Sequence, residues 1–163
     1  MKSKIFYCFI FFSICLVVCS GTLNENNNEN ELKFLEDLDV DASVNISTFN
    51  SKVIKHAKDN AKSSSQGLCA KYVADAIESA GVRIQRQPAA YMYGQNLINV
   101  GYKVVSCSSL QSGDIYVIDK TSKHEYGHIC IKGDDGAFYS DFKQRNACPY
   151  SDGCPVVKCY RHD

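Results

Sequence analysis

Three side chains stand where they could perform acyl transfer: Cys69, His128 and Asp141. A cysteine attacks as its thiolate, and a helix N-terminus favours that form because unpaired backbone N–H groups and the helix dipole put partial positive charge beside the sulfur. Cys69 follows the turn-forming run Ser63-Ser64-Ser65-Gln66-Gly67 and opens a stretch in which Cys69, Val73, Ala76, Ile77 and Ala80 recur at helical spacing, which puts it in a first helical turn. Of the four histidines, His56 falls on an exposed helix, His124 in a polar loop and His162 at the C-terminus. His128 alone begins a buried strand, within Tyr126-Gly127-His128-Ile129-Cys130-Ile131, and is the candidate base. Asp141 ends a strand expected to form a hairpin with the His128 strand, from where it could orient the imidazole, with Ser140 and Asp134 as alternatives. Gln66, Gly67, Tyr93 and Tyr126 are, by position, the candidate substrate or oxyanion contacts.

The cysteine count tests this assignment. Of nine cysteines, Cys8, Cys15 and Cys19 fall in an N-terminal leader, leaving Cys69, Cys107, Cys130, Cys148, Cys154 and Cys159. An even number in an exported chain suggests disulfides, and if all six paired, Cys69 would be inert. Pairing Cys148 with Cys154 across the Pro149-to-Gly153 turn, and Cys107 with Cys159, leaves Cys130 in a strand and Cys69 free. The cysteines show no C-x-x-C spacing and an oxidising compartment argues against a thiolate cage, so neither a metal nor any other cofactor is expected. Asp114, after Gly113, reads as a turn carboxylate that satisfies backbone donors.

The surrounding elements follow from periodicity. Residues 1–20 combine a basic start, the apolar run Ile5–Val18 and the small residues around Ser20, the pattern of a signal peptide too short to span a bilayer. A secreted, extracellular protein without stable membrane insertion is expected. Residues 21–47 are acidic and Asn-rich, a disordered linker or pro-segment; Asn45-Ile46-Ser47 within them is a glycosylation sequon. The remaining 48–163 form one domain, with helices over Thr48–Lys62 and Leu68–Ala80 and a short one from Pro88. About five strands follow, at Tyr102–Cys107, Asp114–Ile118, Gly127–Lys132, Ala137–Asp141 and Val156–Tyr160, with a hairpin turn at Gly133–Gly136. Helices first and an antiparallel sheet afterwards imply an α+β fold. The slightly basic body has no patch that argues for nucleic acid, and a monomer is expected.

The motifs resemble a known family. Ser65-Gln66-Gly67-Leu68-Cys69-Ala70-Lys71-Tyr72-Val73, Ser112-Gly113-Asp114-Ile115, Tyr126-Gly127-His128-Ile129 and Tyr139-Ser140-Asp141-Phe142 are similar to the CHAP and NlpC/P60 superfamily of papain-like peptidoglycan hydrolases. Together with Gln87–Gly94 and the ending Tyr160-Arg161, they look most like type VI secretion amidase effectors and their domesticated eukaryotic homologues. The resemblance implies a papain-like, NlpC/P60-type fold, bacterial cell-wall peptidoglycan as substrate, and Cys69, His128 and Asp141 as nucleophile, base and orienting acid. The Cys148–Cys159 end departs from the family pattern. A secreted cysteine protease acting on proteins and an inactive wall-binding module are the competing readings.

Overall fold

The structure is a computed structural model that describes residues 26–154 and 156–162, with side chains from Ser43 onward. The expected signal peptide, residues 1–20, lies outside the described residues. Two units are distinguished, Met1–Glu36 and Asp37–Asp163; of the first, only helical backbone from Asn26 is described, and the second holds the sheet and every candidate site residue.

Helix α1 runs over Asn26–Asn60, and so takes in most of the stretch that composition assigns to a linker. Polar residues such as Asn reduce helix propensity by only tenths of a kcal/mol each, and extending a helix already nucleated requires no new nucleus. Asn45 is accordingly exposed on a helix, not in the loop that suits a sequon. The buried stripe of α1 is Phe49, Val53, Ile54 and Ala57, at the spacing of one helical face. Helix α2, Cys69–Ser79, buries Val73, Ala74, Ala76 and Ile77 and ends where Gly81 takes φ 97°. The third helical segment divides into a 3₁₀ turn, Ala90–Tyr93, and helix α3, Gly94–Asn99.

Six strands follow: β1 Tyr102–Val105, β2 Ile115–Ile118, β3 His128–Lys132, β4 Phe138–Tyr139, β5 Lys143–Gln144 and β6 Val157–His162. They form one antiparallel sheet in the order β1-β6-β2-β3-β4-β5. Strand alternation sorts the side chains: Ile115, Val117, Ile129, Ile131, Tyr139 and Tyr160 join the helices in the main core. Their neighbours His128, Cys130 and Ile118, equally buried, point to the other face. The sheet has one strand more than expected, because β5 is only two residues long and carries no period of its own.

One polar anchor, Asp114, and two disulfide bridges fix the connections around the sheet. Asp114 lies in the turn before β2 and accepts from the Gln111 N–H at 2.6 Å; its carboxylate also takes a forked pair from Arg161 of β6, at 2.9 and 2.7 Å. Cys107, just after β1, is bonded to Cys159 in β6, and Cys148 to Cys154. Among the described residues no helix is long and apolar enough to cross a membrane.

The Cys107–Cys159 bridge closes a loop with a sequence separation of 52. Replacing both cysteines by alanine is expected to cost on the order of 4 kcal/mol through the freed unfolded chain. Thermal unfolding followed by circular dichroism should show the midpoint lowered by more than about 10 °C.

Candidate active site

Cys69 is the first residue of α2 and is free and half-buried. The residue before it, Leu68, cannot cap the helix with its own side chain. The capping acceptor comes instead from across the fold. Oδ2 of Asp141 accepts the Gln66 N–H at 2.5 Å, the Leu68 N–H at 3.1 Å and the Ser65 hydroxyl at 3.3 Å, while Oδ1 accepts from the Ser140 hydroxyl at 3.1 Å. The backbone reinforces this: the Lys62 N–H donates to the Asp141 carbonyl at 2.8 Å, and the Lys143 N–H donates to the Lys62 carbonyl at 3.3 Å. A fully buried carboxylate therefore moors the segment that leads into Cys69. Burial works to raise the Asp141 carboxyl, but the Leu68 and Gln66 N–H groups and the Ser140 hydroxyl outweigh it and keep the group below its ordinary value.

This corrects the expected role of Asp141. The ring of His128 is hydrogen-bonded to Gln144, with Nε2 and Oε1 3.1 Å apart. The Gln144 amide group donates to the carbonyls of Asn146 and Ala147, at 2.9 and 3.0 Å. Those two bonds fix which end of the amide faces the ring: Oε1, an acceptor only. His128 Nε2 therefore carries the proton, and Nδ1 keeps a lone pair for use as a base. Gln144 sits in β5, directly opposite Phe138 of β4, and no sequence pattern singles it out. Phe142 and Tyr150 flank the imidazole, each with its ring centroid 6.2 Å away.

Cys69 and His128 open on one groove of about 610 Å3, lined also by Ser65, Gly67, Tyr126, Phe142 and Tyr150. Gly67 lies in it with φ 70°, and Tyr126 stands at it 67% exposed. Gln66 is placed differently from expectation: its N–H is taken by Asp141, and its side-chain amide donates to the Ser64 carbonyl. The donors facing the sulfur are the N–H group of Ile129 in β3 and those of the first turn of α2, at Cys69 and Ala70. Tyr93 is not in the groove at all. It is 1% exposed and its hydroxyl accepts from the Gln87 N–H, because the 3₁₀ turn directs it inward where a regular helix begun at Pro88 would not. His124, which its polar loop gave no reason to single out, lines the groove and stacks on Tyr150 with ring centroids 3.5 Å apart.

The turn into β3 explains the Gly-His pair. Gly127 has φ 62°, and a Cβ there would collide with the Ile118 carbonyl oxygen, so only glycine fits.

The chain aligns with a native crystal structure of the type VI effector–immunity complex Tae3–Tai3 from Ralstonia pickettii at 33% identity and a TM-score of 0.63, over 70% of this chain and 98% of the matched one. A selenomethionine crystal of the same complex gives 33% identity and a TM-score of 0.60, over 67% and 98%. The chain belongs to the Tae3 effector family. Its α+β fold is the papain-like one of Tae3, as the motifs implied, and their likeness to type VI effectors stands on this match. The wider CHAP and NlpC/P60 grouping rests on the motifs alone. No protein-family model matches the chain, and no curated protein sequence does. Among the described residues no group of three or more His, Cys, Asp or Glu is arranged to hold a metal.

Electrostatically the pair is neutral at rest. Burial pushes the Cys69 thiol above its ordinary value of 9.0; the N–H groups of Ile129 and Ala70 oppose this, and the Asp141 charge adds to it. Burial likewise pushes His128 below 6.5, against the Gln144 bond and the Asp141 charge. The helix N-terminus does not by itself produce a thiolate here, because burial outweighs it and the negative charge of Asp141 acts in the same sense as burial. Alkylation of Cys69 by iodoacetamide should therefore rise steadily with pH through neutrality towards and beyond 9.0, without the acid plateau of a preformed ion pair, and the acid limb of any catalytic profile should fall below 6.5. Gln144→Ala should lower kcat by about 10- to 100-fold, with KM little changed, through loss of the oriented base; steady-state kinetics of the purified variant checks this.

Proposed function

We propose that the protein is a secreted peptidoglycan peptidase or amidase that cleaves an amide of the stem peptide or crosslink through an acyl-enzyme on Cys69. The observation that carries this reading is the free Cys69 thiol in one groove with His128, whose proton-bearing nitrogen is fixed by Gln144. Kinship with Tae3, an effector held by an immunity protein in the crystal, supports an antibacterial wall-directed role. The two disulfides support residence in an oxidising compartment.

In this mechanism His128 Nδ1 takes the Cys69 proton as Sγ attacks the scissile carbonyl. The N–H groups of the first turn of α2 face the oxygen that becomes negative. The imidazolium then gives its proton to the leaving amine as the C–N bond breaks, leaving a thioester. Water, deprotonated by the same Nδ1, attacks the thioester; the carboxylic product departs and the proton returns to sulfur. Asp141 takes no proton and acts by holding the segment 65–68 in place. No step requires a metal or another cofactor.

An unbridged Cys69 favours the enzyme over a binding module in which that cysteine would be locked in a disulfide. Cys69→Ala is expected to abolish release of muropeptides from purified bacterial sacculi, by chromatography and mass spectrometry, with an unchanged circular dichroism spectrum. Release by the variant at the wild-type rate would overturn the assignment. Casein hydrolysis in a parallel assay would point to a protein-directed protease instead.

A further inference from the structure

Part of the groove wall is built by a loop that no catalytic step uses. The Cys148–Cys154 bridge closes this loop over six positions, and Pro149 and Tyr150 from it line the groove. Tyr150 is held three ways. Its hydroxyl donates to the Gly127 carbonyl at 2.9 Å, its ring lies flat on His124 with centroids 3.5 Å apart and planes 2° apart, and its edge meets His128 at 6.2 Å. Asp152, two residues on, engages His124 Nε2 at 3.2 Å and Lys123 Nζ at 3.3 Å. The loop 148–154 is thus clasped to the loop 122–127, and both lie on the mouth of the groove.

Tyr150 shares the groove with Cys69; burial, and the charge a Cys69 thiolate would carry, push its phenol up to about 12. Phe142 also meets the His128 ring, at 6.2 Å, so two aromatic rings stand beside the imidazole in the groove. A stapled and clasped wall yields less to an incoming group than a free loop does, because moving it breaks the stacking, the hydrogen bonds and the Lys123–Asp152 ion pair together.

We propose that the Cys148–Cys154 loop is a specificity-determining wall, in which the ring of Tyr150 limits the substrate to amides carrying a small side chain beside the scissile carbonyl. This deepens the reading of the groove as a hydrolase site and rests on it for the word substrate, but the steric claim can be measured without hydrolysis.

The test compares alkylation of Cys69 by iodoacetamide and by its N-phenyl derivative, scored by mass spectrometry of the Cys69 peptide; Cys130 is fully buried and serves as the unreactive internal control. The two reagents share a reacting carbon and differ by one ring. The wild-type protein should favour the small reagent by at least about tenfold, the order that a hydrophobic pocket achieves against extra bulk. In Tyr150→Ala the preference should shrink to within about threefold, and in Tyr150→Phe, which restores the ring, it should return. Should Tyr150→Ala not fold, the double variant Cys148→Ser with Cys154→Ser frees the same wall and should show the same loss of preference. Equal reaction of the wild type with both reagents, or an unchanged preference in a folded Tyr150→Ala or unstapled variant, would overturn the proposal. Muropeptide release from sacculi, measured on the same proteins, separates the two ideas: a wild type that shows the preference yet releases nothing sinks the hydrolase reading and leaves the wall standing.

Discussion

The buried carboxylate of Asp141 is the interaction on which the arrangement of this site depends. Between β4 and β5 it accepts two backbone N–H groups and two hydroxyls, and through them it joins the sheet to the segment entering α2. A carboxylate removed from water is unfavourable unless its lone pairs are filled, and here the donors come from a segment with no regular structure to occupy them otherwise. Each side therefore satisfies the other. Were the carboxylate absent, the N–H groups of Gln66 and Leu68 would lack acceptors, and the start of α2 would lose the contact that fixes where the sulfur sits relative to β3.

The same charge shapes the chemistry. A helix N-terminus and an anion beside it act on a thiol in opposite senses; burial disfavours the charged forms of both the Cys69 thiol and the His128 imidazole, and the Asp141 charge adds to it at the sulfur while opposing it at the ring. Gln144 complements this state. A neutral amide oxygen fixes the tautomer of His128 without adding a second negative charge, whereas a carboxylate at the same position would draw the ring towards its cationic form. Orientation and charge balance are thus divided between two residues, Gln144 and Asp141, that sequence reasoning combined into one.

The positions of Cys69 and His128 were legible because each sits on an element with a clear period: α2 has a 3.6-residue stripe beginning at Cys69, and β3 is a continuous apolar strand beginning at His128. The bridges Cys107–Cys159 and Cys148–Cys154 likewise lie where spacing allows. What spacing does not carry is the far side of the groove. Gln144 belongs to a two-residue strand reached by a tight turn, and Tyr150 belongs to a loop whose path is fixed by a disulfide and by stacking on His124. Tyr93 illustrates the converse, since one 3₁₀ turn is enough to rotate a side chain from the surface into the core. The acidic N-terminal stretch shows how composition alone understates a helix that continues from a well-packed one.

Gly127 carries a consequence for how such chains are recognised. Its backbone is pressed against the last carbonyl of β2 and against Tyr91, and its own carbonyl receives the Tyr150 hydroxyl. The Gly-His dipeptide is therefore a steric signature of how one loop crosses the end of a sheet, and only secondarily a sign of catalysis. A chain with another residue in place of Cys69 would still need the glycine to close this turn, so the dipeptide reports the path of the loop and carries no information about the residue at the head of α2.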